Sequence, residues 1–120
     1  RPFSEWIAQE KMRNWMIPLL FGKRVIMITA RKTRWENVTL TQIKKETGWL
    51  PDEWYFNPDE ATPPEHKFRI LKEKVFPRHG TPQQTSYIAL ESNSMTRQMY
   101  ADNNIFAIRI DATIPSLPLV

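Results

Sequence analysis

Gln83-Gln84-Thr85-Ser86-Tyr87-Ile88-Ala89-Leu90-Glu91-Ser92-Asn93-Ser94 is the stretch on which the fold turns. Tyr87 and Ile88 favour a strand over 85–92, because aromatic and β-branched side chains suit a pleated, half-buried surface. Ala89, Leu90 and Glu91 favour a helix, and Gln83, Gln84, Met95, Arg97, Gln98 and Met99 extend that pattern on both sides. Local propensity leaves both open.

The flanks are clearer. After Asn103-Asn104, a turn, Ile105-Phe106-Ala107-Ile108-Arg109-Ile110 alternates and reads as a strand. Pro115 and Pro118 mark the exit. Upstream, Pro64 suits the first turn of a helix that runs to about Phe76 with Phe68, Leu71 and Val75 on one face, and Pro77, Gly80 and Pro82 break it. Residues 50–64 hold Pro51, Pro58, Pro63 and Pro64 and read mostly as loop. Thr39-Leu40-Thr41-Gln42 reads as a capping box for a short helix over 43–47, stopped by Gly48. Gly22 opens a strand over 23–29 centred on Val25, Ile26, Met27 and Ile28. Before it, Ser4 caps a helix whose apolar face is Ala8, Met12, Trp15, Met16 and Leu19, ending near Pro18.

The 120 residues suit a single domain, 41% hydrophobic and 12% aromatic, which argues against disorder. The sequence begins Arg1-Pro2-Phe3, with neither an initiator methionine nor a signal-peptide pattern, and reads as a fragment of a longer protein. No apolar run approaches the ~20 residues of a membrane helix, so no membrane association is expected. With no cysteine, disulfides and thiolate metal sites are excluded. His66 and His79 lack a metal-ligand spacing, and three glycines do not make a phosphate loop, so no metal, cofactor or catalytic residue is assigned.

Charge is unevenly spread. Residues 23–45 carry seven basic side chains and one acid, residues 50–66 five acids and no Lys or Arg, and residues 67–78 five basic side chains and one acid. Two basic blocks of this kind can form a positive face that attracts phosphate.

Two local patterns carry less. Residues 38–50 look like the first helix and turn of a bacterial helix-turn-helix, but the following Pro51-Asp52-Glu53-Trp54-Tyr55-Phe56 would turn two acids toward phosphate. Arg78-His79-Gly80-Thr81, Tyr87 to Ser92 and residues 105–112 are similar in order to toxin-type ADP-ribosyltransferases. The early arginine and the late glutamate that such an enzyme needs are missing, and no enzyme activity is expected.

Read end to end, the order of features resembles the DNA-binding domain of the interferon regulatory factors, over roughly Ser4 to Pro115. Trp6-Ile7-Ala8-Gln9 is similar to that family's opening helix, and Ile17-Pro18-Leu19-Leu20 to its entry into the first strand. Asp59-Glu60-Ala61 and Lys72-Glu73-Lys74-Val75-Phe76 resemble the bounds of its second helix. Ala89-Leu90-Glu91-Ser92-Asn93 resembles its third, and Ile105 to Ile110 its final strand. The departures are most like the viral homologues of gammaherpesviruses: only Trp6 of the five tryptophans sits where the family has one.

The resemblance implies an α+β winged helix-turn-helix, with about three helices against a small antiparallel sheet and residues 83–94 helical. It implies a nuclear, transcription-regulator-like protein that binds double-stranded DNA, a viral homologue that counteracts host interferon-driven transcription. Phosphate contacts would come from Arg31, Lys32, Arg34, Lys72, Lys74, Arg78, His79 and Arg97. Base contacts would come from Gln84, Tyr87, Glu91 and Ser92, with altered or weak readout because Tyr87 and Glu91 replace better base readers. The alternative is a decoy module that binds host transcription factors or coactivators through the acidic, aromatic residues 51–60, with DNA binding vestigial.

Overall fold

Strand β1 (Ile26–Lys32) starts three residues later than the sequence suggests, because the turn around Gly22 occupies the preceding backbone. Lys23 N–H donates to Leu20 O (3.1 Å), and Val25 N–H donates to the Asp52 carboxylate (2.7 Å). The structure, a computed structural model, describes residue 20 and residues 22–110. The helix expected over residues 4–19, the tryptophan motif at Trp6 and the exit prolines lie outside the described residues.

A 3-10 turn (Thr33–Trp35) leads from β1 into helix α1 (Glu36–Thr47). The expected capping box at Thr39 is instead mid-helix, with Thr39 buried. Gly48 stops α1 as expected: its φ is 71°, and its N–H donates to Lys44 O (2.8 Å). Strand β2 (Glu53–Asn57) follows, where a loop was expected. Pro51 and Pro58 bracket it rather than interrupt it, and Trp54, Tyr55 and Phe56 suit a strand. Trp54 and Tyr55 are half-buried and Phe56 and Asn57 buried, so the segment forms part of the packed body.

Helix α2 begins at Pro63–Ile70, passes through a π-helical turn at Leu71–Val75 and ends at Phe76–His79. Its start is a capping box: Thr62 Oγ1 accepts from Glu65 N–H, and Glu65 Oε1 accepts from Thr62 N–H (3.1 Å). Pro77 was expected to break this helix. The widened turn, in which Phe76 N–H bonds Leu71 O, accommodates a residue that has no N–H to give.

The deciding stretch resolves as a strand. Residues 82–84 form a turn, β3 is Ile88–Glu91, and Asn93 caps a separate helix α3 (Ser94–Asp102). The helix expected over 83–94 is therefore corrected. Asn93 Oδ1 accepts from Thr96 N–H (2.9 Å), which fixes the helix start six residues beyond the start of the strand. The turn at Asn103-Asn104, with Asn104 at φ 62°, and the final strand β4 (Phe106–Arg109) fall where the sequence puts them.

The described residues are α+β, with three helices and two small two-stranded sheets among them. Both sheets are parallel, which corrects the antiparallel expectation. β1 pairs with β2 (Ile26 opposite Glu53, Ile28 opposite Tyr55), and β3 pairs with β4 (Ile88 opposite Phe106, Glu91 opposite Arg109). Each pair is joined by a helix, α1 or α3, as parallel neighbours require.

One core serves both pairs. Ile70, Leu71, Val75, Tyr100 and Ile105 are buried together, with Ile26, Ile28, Tyr55, Ala89 and Ala107 packed against them. Helix α2 thus rests on both sheets. Among the described residues no helix is long and apolar enough to cross a membrane.

Candidate functional site

Two neighbouring side chains of α2 reach different sheets. His66 is fully buried and lies against the backbones of Thr29 in β1 and Tyr55 in β2. Lys67 Nζ sits 2.6 Å from Glu91 Oε1, at the end of β3. Successive helix residues are about 100° apart, so α2 straddles the boundary between the two pairs. At its other end, His79 Nε2 meets Glu53 Oε2 (2.5 Å) at the start of β2, and Phe76 packs its ring 5.9 Å from Tyr87, just before β3. The helix therefore runs antiparallel to both pairs, and all four strands point the same way.

The carboxyl ends of β1 and β3 consequently both lie toward the first turns of α2, beside His66 and Lys67 respectively. Thr29, Arg31 and Lys32 come from β1, Lys67 from α2, and Glu91, Ser92 and Asn93 from the β3–α3 junction. Beyond β1 the chain moves away to β2, and beyond β3 it moves away to β4. The two pairs are separate sheets, and the region between their carboxyl ends, here called the crevice, is arranged like the topological switch point at which open α/β sheets bind ligands.

This crevice is rigidly built on its β3 side. Lys67 and Glu91 side chains are 13% and 9% exposed. The second Glu91 oxygen accepts from Asn93 N–H (3.0 Å), and the Arg97 guanidinium donates to Glu91 O (3.3 Å) and Ser92 O (2.6 Å). On the β1 side, Thr29 Oγ1 accepts from Arg31 N–H (3.2 Å), and Lys32 pairs with Glu60 and donates to Asp59 O (3.2 Å). Burial holds the His66 imidazole below its usual pKa of 6.5, although the Thr29 and Tyr55 backbones favour its charged form. Neither ring nitrogen has a hydrogen-bond partner in good geometry among the described residues.

A second cluster marks the opposite end of the strands. Glu53 takes hydrogen bonds from Tyr55 OH (2.8 Å) and His79, with Arg78 Nη1 at 3.5 Å. Burial works to raise its pKa, but the Tyr55 and His79 bonds and the charges of His79 and Arg78 prevail and leave it lowered. Burial, with the same carboxylate adding to it, raises the Tyr55 phenol.

The twelve residues expected to face DNA do not share one surface. Arg31 and Lys32 lie at the crevice, and Arg34 is exposed with its guanidinium 5.5 Å from the Trp35 ring. Lys72 and Lys74 are exposed on α2, with Lys72 Nζ 5.1 Å from the Phe68 ring, whereas Arg78 and His79 turn to Glu53. Gln84 accepts from Thr81 N–H (2.9 Å), and Tyr87 OH donates to Gly80 O (2.5 Å). Glu91 is buried in its ion pair, and Ser92 and Arg97 are bonded to each other. Thr29, His66 and Lys67 were not among the site residues expected from sequence. Thr29 had a signal: a hydroxyl followed by Ala30-Arg31 at the end of the apolar run of Val25 to Ile28. Lys67 had none, since only folding sets it beside Glu91.

Among the described residues no cluster of three His, Asp or Glu is placed to hold a metal ion. The chain matches no protein-family model, no curated protein and no solved structure.

Proposed function

We propose that this chain is a phosphate-binding domain whose site is the crevice between the carboxyl ends of β1 and β3. The observation that carries this is Lys67: a largely buried ammonium beside the end of β3, held in place by Glu91, one residue after the His66 that packs on Thr29 of β1. Thr29 in β1 and Ser92 after β3 carry hydroxyls, and Arg31 and Lys32 add positive charge. A bound phosphate would take Lys67 as a charge-assisted donor and so share it with Glu91.

The phosphate has two candidate sources, a phosphorylated small molecule and the backbone of a nucleic acid. The second keeps the DNA-binding expectation, and exposed Lys72 and Lys74 on the outer side of α2 favour it. A winged-helix arrangement would need residues 83–94 as a recognition helix, so on this protein duplex DNA would be gripped through its backbone, with little base readout.

The test is an NMR titration of the 120-residue protein with inorganic phosphate, with a nucleoside monophosphate and with a short DNA duplex at two salt concentrations. Shifts at Thr29, Lys67 and Ser92 with millimolar phosphate or the mononucleotide, lost in Thr29→Val, support the crevice. Shifts confined to Lys72 and Lys74 that appear only with the duplex and fade with salt support DNA alone. If none of these residues moves with any ligand, the proposal fails.

A further inference from the structure

We infer that the carboxyl end of α2 and the start of β2 form a second binding site, which takes a small organic monocarboxylate with a flat apolar body. It lies at the opposite end of the strands from the crevice and stands independently of the phosphate proposal.

Three observations point there. First, Tyr55, Glu73, Lys74, Pro77 and Arg78 line an open cavity of about 540 Å³. Small-molecule sites commonly span about 300–1,000 Å³, so this one has room for a ring that carries a carboxylate. Second, its cations are available. Lys74 is exposed and pairs with no carboxylate among the described residues. The Arg78 side chain is 62% exposed and reaches Glu53 only at 3.5 Å, so most of its N–H donors stay open to a ligand.

Third, the site is fixed from behind. Glu53 Oε1 accepts from Tyr55 OH (2.8 Å) and Glu53 Oε2 meets His79 Nε2 (2.5 Å). Both carboxylate oxygens are thus engaged, and the start of β2 is tied to the end of α2 with the Tyr55 ring held as one wall. The π-helical turn at Leu71–Val75 serves the same arrangement. Each residue of a helix turns the chain by about 100°, so the widened turn resets the face on which Pro77, Arg78 and His79 emerge.

The lining sets the ligand class. Lys74 and Arg78, four residues apart, offer one carboxylate a point charge and a planar fork of donors. The Tyr55 and Pro77 rings offer apolar surface to the body that bears it. Glu73 on the same rim reduces the surplus among the lining side chains to one positive charge, which matches a monoanion and disfavours a phosphate dianion.

The test is an NMR titration of the 120-residue protein with sodium benzoate, benzyl alcohol and inorganic phosphate. Benzoate should shift Tyr55, Lys74 and Arg78 with a Kd of about a millimolar, the affinity of a ligand with so few atoms. Arg78→Gln, at an exposed position, should weaken that binding about three- to tenfold through loss of a charge-assisted donor, and Lys74→Gln should do the same independently. Lys45→Gln, an exposed cation on α1, should leave it unchanged. Benzyl alcohol, which has the body without the charge, should bind roughly tenfold more weakly than benzoate. Phosphate should leave Tyr55 and Arg78 in place, whatever it does at Thr29, Lys67 and Ser92. Absence of a benzoate shift at Tyr55 and Arg78 overturns the inference, as does binding that survives both Arg78→Gln and Lys74→Gln intact. Equal binding of benzyl alcohol, or phosphate shifts at Tyr55 and Arg78 as large as those of benzoate, overturns the monocarboxylate assignment.

Discussion

Replacing Lys67 with methionine should cost about 3 kcal/mol of folding stability. The substitution keeps most of the unbranched side chain but removes the ammonium and leaves the Glu91 carboxylate without its cation. Removing one partner of a buried ion pair typically costs about 3–5 kcal/mol, because the other charge remains desolvated. Glu91 is 9% exposed and keeps one hydrogen bond, from Asn93 N–H, which places the cost at the lower end. For a domain near 100 residues, that corresponds to a fall in Tm of roughly 12–24 °C. Adding Glu91→Gln removes the orphaned charge while the side-chain oxygen can still accept from Asn93. The double variant should therefore recover about 2 kcal/mol relative to the sum of the single losses. Urea unfolding of the four proteins, followed by tryptophan fluorescence, measures the cycle. A loss under about 1 kcal/mol for Lys67→Met, or strict additivity in the double variant, would refute the view that this contact is a desolvated pair joining α2 to β3.

Two further outcomes follow from the same packing. Burial lowers the His66 pKa, so below about pH 6.5 the unfolded chain binds a proton more readily than the folded chain does. Stability is then full above pH 6.5 and falls by up to about 1.4 kcal/mol per pH unit below it, until the lowered folded-state pKa is reached. His66→Leu should flatten that slope and stabilise at neutral pH by about 1 kcal/mol, since it removes two buried nitrogens without partners. Denaturation between pH 6.5 and 4.5 isolates this from Glu53, whose lowered pKa protects stability above 4.5 and loses it only at lower pH; an unchanged slope in the variant would exclude His66 as its source. Glycine substitutions should separate strain from clash. Gly48→Ala meets open space at φ 71° and should cost about 1–2 kcal/mol of backbone strain alone. Gly80→Ala, at φ 105°, would put a Cβ 2.5 Å from Thr85 Oγ1 and should cost more, as thermal unfolding of the pair would show.

Much of the local structure was legible because its causes are local. Gly48 ends a helix through its left-handed φ, Asn103-Asn104 turns the chain, and the alternation of residues 105–110 forms a strand. What misled was also local. The prolines around residues 53–57 looked like loop, although they only frame β2, and Pro77 looked like a stop until the π-helical turn absorbed it. The Ala-Leu-Glu run at 89–91 carries helix propensity worth only tenths of a kcal/mol per residue, less than the burial that pairs it with β4.

The stretch from Gln83 to Ser94 separates what each level could decide. By itself the sequence determined a cysteine-free, basic chain of mixed helix and strand, with its charge gathered in blocks, because composition and short-range periodicity need no partner. Only the tertiary structure decided that Ile88 to Glu91 is a strand, that the pairs run parallel, and that Glu91 holds Lys67 instead of facing solvent. The physical reason is sequence separation. Lys67 and Glu91 lie 24 residues apart, and β1 meets β2 across a helix. No window of local pattern contains both halves of either contact.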